Sequence, residues 1–157
     1  MIILFYGQPA SGKTTLSDNL CQKELMGVLC GSTIVQIDGD KWREITKNKD
    51  YSKEGRLNNL KGAFNMALYL EKEGFTPVLS FVTPYDELRK YLRDNAKESV
   101  EIYLSYNEDR GRNMNFASDF EKPSDDGYSL YFDTSVKSVD ECIIEIKEFI
   151  KKYYELD

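Results

Sequence analysis

Ile2-Ile3-Leu4-Phe5-Tyr6, followed at once by Gly7-Gln8-Pro9-Ala10-Ser11-Gly12-Lys13-Thr14-Thr15, is the stretch on which the reading of this chain turns. The apolar run has the length and continuity of a buried strand. The next nine residues fit G-x-x-x-x-G-K-[ST], and after them Leu16 and Leu20 stand at helical spacing. Strand, glycine-bearing loop and helix is the context in which backbone N–H groups can wrap around phosphate oxygens. Lys13 would then reach the β- and γ-phosphates, and the Thr14 hydroxyl would sit on Mg²⁺. The stretch reads as a nucleoside triphosphate site.

Composition sets the outer limits. A chain of 157 residues, 41% hydrophobic and 31% charged, suits one soluble globular domain, here residues 1–157. A formal net charge of −6 argues against a broad nucleic-acid surface and leaves room only for a local cationic cluster. The three cysteines, at 21, 30 and 142, have no metal-ligand spacing and read as free thiols of a reducing, cytoplasmic compartment. Cys142 falls on an apolar helical stripe, where a buried thiol is common. The chain has no histidine. Ser-His and Cys-His nucleophiles are thereby excluded, and acid–base work falls to carboxylates or lysine. The short apolar start lacks the features of a secretory leader, and no stretch has the length of a membrane span.

Further along, strand-like runs recur at Thr33–Ile37, Thr76–Val82, Val100–Tyr106 and Tyr128–Phe132. Helical stripes lie between them: Leu57, Leu60, Phe64, Ala67 and Leu68, stopped by Gly74; Leu88, Tyr91 and Leu92; and Val139 through Tyr153, opened by a capping box of Ser138 and Glu141. This alternation predicts an α/β fold of three layers: a mainly parallel five-stranded sheet, helices on both faces, of the P-loop NTPase (nucleoside-kinase-like) class. Asn107–Gly127 is polar, without periodicity, and too long for an ordinary connection; it reads as a lid-like loop.

Strand Thr33–Ile37 runs into Asp38-Gly39-Asp40 and then Lys41-Trp42-Arg43. Ligands of open α/β sheets bind beyond the carboxyl ends of the strands, so both carboxylates belong near Lys13 and Thr14. One can hold Mg²⁺ through its waters while the other accepts a proton from an attacking hydroxyl. Asp38 is assigned to the metal and Asp40 to the hydroxyl, although either fits either role. The bland alternative is a solvated Asp-Gly turn. Arg56 and Asn59 share a helix face at i and i+3, and with Arg43 they suit a second anion gripped bidentately. Phe81, before Thr83-Pro84-Tyr85, is either a base-packing ring or plain core.

Taken together and in order, the loop Gly7–Thr15, Asp38-Gly39-Asp40 with Arg43, and Arg56 with Asn59 resemble the adenylylsulfate (APS) kinase family. So do Phe81-Val82-Thr83-Pro84-Tyr85 with Arg89, Phe132-Asp133-Thr134, and Ser138-Val139-Asp140-Glu141-Cys142. The resemblance implies transfer of the γ-phosphate of ATP to the 3′-hydroxyl of adenosine 5′-phosphosulfate, with Mg²⁺ as cofactor. It implies Lys13, Asp38 and Asp40 as catalytic residues, and Gly7, Ala10, Ser11, Gly12, Lys13, Thr14 and Thr15 around ATP. It further implies that Arg43, Arg56 and Asn59 hold the acceptor nucleotide and that Tyr51 and Phe116 sandwich its base, beside the acceptor-side places read above for Asp40 and Phe81. The partner is then a small nucleotide, without nucleic acid or membrane, and family members are often homodimers. The chain departs from the family in its lid, where Arg110 and Arg112 are the cations left to assist ATP, and in Asp86 and Glu87, at positions often more basic. A reshaped lid admits other acceptors of the same chemistry, such as a cytidine diphosphoramidate. A nucleotide-binding module without catalysis is the alternative from another class. A GTPase-like switch is disfavoured, since no Asn-Lys-x-Asp follows the fourth strand.

Overall fold

The computed structural model describes residues 1–24, 32–107, 111 and 116–154. Arg110, Arg112 and Cys30 therefore lie outside the described residues. β1 (Ile2–Tyr6) leads through the glycine loop into α1 (Lys13–Asn19), which continues as a π-helical turn over Leu20–Glu24. β2 (Ile34–Asp38) is followed directly by α2 (Gly39–Thr46) and then by α3 (Lys53–Lys72). β3 (Thr76–Phe81), α4 (Asp86–Asn95), β4 (Ser99–Ser105), β5 (Leu130–Asp133) and α5 (Val139–Tyr154) complete the order.

The five strands lie in the order β2-β3-β1-β4-β5. Every pairing among them is parallel, with Ile3 opposite Val78 on one side and Val100 on the other. β1 is thus the middle strand, and all five of its side chains are fully buried, as a strand covered on both faces requires. Ile3 and Phe5 join Leu16, Leu20, Ile143, Ile146 and Ile150 on the side of α1 and α5. Ile2, Leu4 and Tyr6 join Leu60, Phe64, Leu88 and Leu92 on the side of α3 and α4. The three layers expected from the alternating pattern are present; most residues of the expected helical stripes are buried, while Leu57, Tyr91, Val139 and Phe149 are partly buried.

Strand limits moved by one or two residues. β2 begins at Ile34 rather than Thr33 and takes in Asp38; β5 runs Leu130–Asp133 rather than Tyr128–Phe132. Hydrophobicity marks where a strand can be buried, whereas the ladder continues until its backbone bonds find other partners. Ser129 N–H already bonds the Glu101 carbonyl at 2.7 Å, while the Tyr128 ring packs on Tyr103 and Tyr131. The larger surprise is α2. An Asp-Gly turn here becomes a helix because the Asp38 side chain caps it, accepting from the amides of Asp40 at 3.1 Å and Lys41 at 3.3 Å.

The capping box of α5 is formed as read. Glu141 N–H donates to Ser138 Oγ at 3.3 Å, and Ser138 N–H donates back to Glu141 Oε2 at 2.8 Å. Ser138→Ala should therefore lower stability by about 1 kcal/mol without altering the sheet. A thermal unfolding midpoint lower by a few degrees is the expected result, and an unchanged midpoint would refute the cap.

Candidate active site

The phosphate loop is held in shape from several directions. Gly7 has φ +146, and a Cβ there would lie 2.1 Å from the Leu104 carbonyl oxygen, so only glycine allows β1 to leave the sheet this close to β4. Gly7 N–H bonds the Val82 carbonyl at 3.3 Å, the Tyr106 hydroxyl donates to the Pro9 carbonyl at 2.7 Å, and the Thr134 hydroxyl donates to the Ser11 carbonyl at 3.1 Å. The ends of β3, β4 and β5 thus brace it. Gln8 adds a further tie through its side-chain amide to Ala117. Inside the loop, Lys13 Nζ donates to the Gln8 carbonyl at 2.7 Å and lies 3.4 Å from Ser11 Oγ. The amine is held across the loop it would serve.

Asp38, last residue of β2, is the electrostatic centre. Thr14 Oγ1 donates to its Oδ2 at 2.9 Å and Ser80 Oγ to the same oxygen at 2.8 Å, while its Oδ1 takes the two α2 amides. Burial opposes the charged form, but the hydroxyls of Ser80 and Thr14 and the amides of Lys41 and Asp40 outweigh it and hold the carboxyl below the usual aspartate range. With its proton given to Asp38, the Thr14 oxygen keeps lone pairs for a cation. One hydroxyl and one carboxylate suit Mg²⁺, which takes few protein ligands and completes its shell with water and phosphate. Among the described residues no cluster of three or more acidic, Cys or His side chains exists to cage a metal by itself.

These groups open into a cleft of about 580 Å³ at the carboxyl edge of the sheet. Ala10, Gly12, Lys13, Thr14 and Thr15 line one end of it. Asp38 and Asp40 lie on its floor and rim, Asp40 exposed, and Arg43, Tyr51, Arg56, Asn59 and Phe81 line the rest. Gly7 and Ser11 are buried within the loop and do not line the cleft. Phe81 is 4% exposed within the core and also forms part of the cleft wall.

The two arginines carry a structural task that the sequence did not reveal. Arg43 donates to the Asn48 side chain at 2.8 Å and to the Asp50 carbonyl at 3.1 Å, and its guanidinium stacks 4.3 Å over the Tyr51 ring. Arg56 donates through Nε to the Tyr51 carbonyl at 2.9 Å. Together they fasten the loop that presents Tyr51. Burial lowers the Arg43 pKa, and the nearby charge of Arg56 adds to that shift; a bound anion relieves such crowding. Asn59 is 6% exposed with its Oδ1 unpartnered among the described residues, a buried acceptor in the cleft wall. Phe116 lies apart: it is 41% exposed and does not line the cleft, so the ring pair Tyr51 and Phe116 does not share one cavity in this structure.

Ser80 and Tyr106 escaped the sequence reading, and Thr83 and Thr134 entered it only as motif members without a place in the site. Ser80, Thr83, Tyr106 and Thr134 have small or common side chains at strand ends, and only the topology brings them together. Thr83 adopts φ +45, an unusual backbone for a β-branched residue, and its Oγ1 is buried without a partner among the described residues. On the far side of the phosphate loop a second groove of about 340 Å³ runs between Thr15 and the Thr134–Val139 segment.

A phosphate loop on the middle strand, an aspartate on a parallel strand two positions away and a cleft along the carboxyl edge define a P-loop α/β protein. The family model described as adenylylsulphate kinase matches residues 1–116, and the chain belongs to that family. It is 28% identical over 103 residues to the cytidine diphosphoramidate kinase of Campylobacter jejuni, covering 66% of this chain and 59% of that one. It is 33% identical over 104 residues to a probable adenylyl-sulfate kinase of Archaeoglobus fulgidus, covering 65% and 64%. The chain thus spans about three fifths of the length of these relatives. In fold it is similar to the Mycobacterium tuberculosis APS kinase solved with AMPPNP and APS, with a TM-score of 0.79, 19% identity and 96% of each chain covered. The family match ends at Phe116, so the later motifs Phe132-Asp133-Thr134 and Ser138–Cys142 lie beyond it.

Ser80→Ala tests how Asp38 is held. Loss of this buried donor should cost about 1 kcal/mol and raise the Asp38 pKa. A carboxyl held low contributes stability above its unfolded pKa and loses it as pH falls through the folded one. The variant should therefore lose stability at a higher pH than the wild type in an acid-unfolding series; superimposable acid limbs would contradict the assignment.

Proposed function

We propose that the protein is an ATP-dependent kinase that transfers the γ-phosphate to the ribose 3′-hydroxyl of a 5′-activated nucleotide, adenosine 5′-phosphosulfate being the first acceptor to test. The observation that carries the reading is the shared Asp38 carboxylate. It ties the phosphate-loop hydroxyl of Thr14 to the same cleft that Arg43, Arg56 and Asn59 line. Donor and acceptor groups thus meet along one carboxyl edge.

In this reading the triphosphate of ATP lies in the loop Gly7–Thr15, and its base enters the groove beside Thr134, Lys137 and Val139. Lys13 draws negative charge from the transferring phosphoryl group. Thr14 and Asp38 would hold Mg²⁺, which would supply neutralisation of the charge that develops during transfer. Asp40, exposed at the first turn of α2 and unencumbered by the capping bonds of Asp38, takes the proton of the attacking hydroxyl. Arg56 and Asn59 hold the anionic 5′-group, and Arg43 holds Tyr51 against the base. Phosphoryl transfer asks for positioning and charge rather than a covalent intermediate, which suits a chain without histidine; among the described residues, burial pushes the thiols of Cys21 and Cys142 up to about 11.

A cytidine diphosphoramidate is the second acceptor to test, because the similar Campylobacter jejuni protein bears that name. An aromatic ring such as Tyr51 stacks any base with little discrimination, so the two acceptors use the same machinery. ADP release with each, in the presence of ATP and Mg²⁺, separates them; silence with both and with related 5′-activated nucleotides would overturn the kinase reading.

Lys13→Ala should lower transfer about 100-fold or more while circular dichroism stays native; near wild-type turnover would refute the role. Arg56→Ala should raise the acceptor KM roughly tenfold to a hundredfold, the loss of a charge-assisted contact of about 1.5–3 kcal/mol. The ATP KM should change far less, and equal shifts in both would reject the acceptor assignment.

A further inference from the structure

Residues 116–121 form a strap that touches both halves of the cleft. At one end, Gln8 of the phosphate loop makes a reciprocal amide pair with Ala117. Gln8 Nε2 donates to the Ala117 carbonyl at 2.9 Å, and Ala117 N–H donates to Gln8 Oε1 at 3.1 Å. At the other end, Glu121 N–H donates to the Pro84 carbonyl at 2.8 Å, and Asp86 N–H donates to Glu121 Oε2 at 2.6 Å. The fully buried Arg89 joins the same two segments, donating to the Thr83 carbonyl and to the Glu121 carbonyl, each at 2.9 Å. Between the ends, the Tyr85 hydroxyl donates to Asp119 at 2.7 Å. Val82, Thr83 and Pro84 line the cleft, as does the loop that Gln8 belongs to. The strap is therefore a bridge with one footing in each half, and Phe116 stands next to the Gln8 footing.

A side chain that bonds both backbone groups of a distant residue fixes its position and its orientation, as a strand partner would. Ala117 is 1% exposed, so water does not stand in readily when that pair is broken. Pro9, Ala10 and Ser11, which follow Gln8, complete the loop that wraps phosphate. Any adjustment of that loop to a triphosphate is thus felt at Ala117 and passed along the strap to Thr83–Asp86.

We propose that Gln8 is a positioning residue that couples occupancy of the phosphate loop to the acceptor side of the cleft through the strap 116–121. The coupling rests on the nucleotide-binding reading above. It makes donor binding tighten the strap and the Thr83–Asp86 segment, and by linkage makes acceptor binding favour the donor-loaded loop.

Residue-resolved amide hydrogen exchange tests this, with saturating Mg²⁺·AMPPNP as the probe, on the wild type, Gln8→Met and Tyr85→Phe. In the wild type, the nucleotide should slow exchange in the phosphate loop and, by at least about fivefold, at Ala117 and Glu121. In Gln8→Met at saturation the loop should still respond while Ala117 and Glu121 lose their response. Tyr85→Phe should keep the response of Ala117 and weaken that of Glu121. Slowing of the strap that persists in Gln8→Met overturns the proposal, as does a wild-type strap indifferent to nucleotide while the loop responds. A phosphate loop that itself ignores Mg²⁺·AMPPNP in the wild type is a separate result. It removes the nucleotide reading, and the coupling falls with it.

Discussion

One carboxylate organises the functional edge of this protein. Asp38 ends β2, caps α2, receives the Ser80 hydroxyl from β3 and receives the Thr14 hydroxyl from α1. Four donors satisfy it, and each comes from an element that the site needs in place. A buried anion without such partners would be strongly unfavourable; with them it becomes the point from which the phosphate loop, the third strand and the helix bearing Asp40 and Arg43 are all measured. Asp40 follows two residues later with no such duties. Asp38 is thus fixed by the cap of α2 and by the hydroxyls of Thr14 and Ser80, whereas Asp40 is exposed in the first turn of α2.

The cleft also concentrates charge against the chain's average. The molecule carries a formal net charge of −6, yet Lys13, Arg43 and Arg56 face one cavity. Their positions are stabilised by local tasks: Lys13 spans its loop, while Arg43 and Arg56 clasp the segment that carries Tyr51. Among the described residues Arg43 and Arg56 are held by neutral carbonyls and an aromatic face rather than by ion pairs, which leaves their charge uncompensated for an anionic ligand. Asp38 and Asp40 share the cleft with these cations, and among the remaining acidic residues some are structural. Burial pushes the Glu101 carboxyl up to about 7 even though Arg93 Nη1 donates to both of its oxygens, at 2.8 and 3.0 Å.

The sequence made the sheet and its two apolar faces legible because burial on both sides of β1 demands a continuous apolar run, and helices packed on a sheet demand stripes. It made Lys13, Thr14, Asp38 and Arg56 legible because a spacing rule or a strand end pointed to them. It could not display Ser80, Tyr106 or Thr134, whose importance lies in which strand ends become neighbours. Nor could it display α2, since Asp-Gly reads locally as a turn until the Asp38 side chain is seen capping it. Phe116 is the opposite case: the resemblance implied a ring over the acceptor base, whereas the structure places that ring outside the cleft lining, beside a footing of the strap. The roles of Arg110 and Arg112 fall outside the described residues.

The placement of β1 has a consequence for how the molecule is made. Its partners are β3 and β4, with Ile3 opposite Val78 and Val100, and Gly7 takes its shape against Leu104. Both strands that pair with β1 follow it by some seventy residues or more, so this pairing waits until they have been synthesised and brought back. Contacts at such separation form slowly, because the intervening chain must be ordered before they are gained. The Gly7–Thr15 loop therefore acquires its described shape only once β3 and β4 have joined β1. A ligand for that loop would act as a late clasp on the nearly finished sheet rather than as an early nucleus.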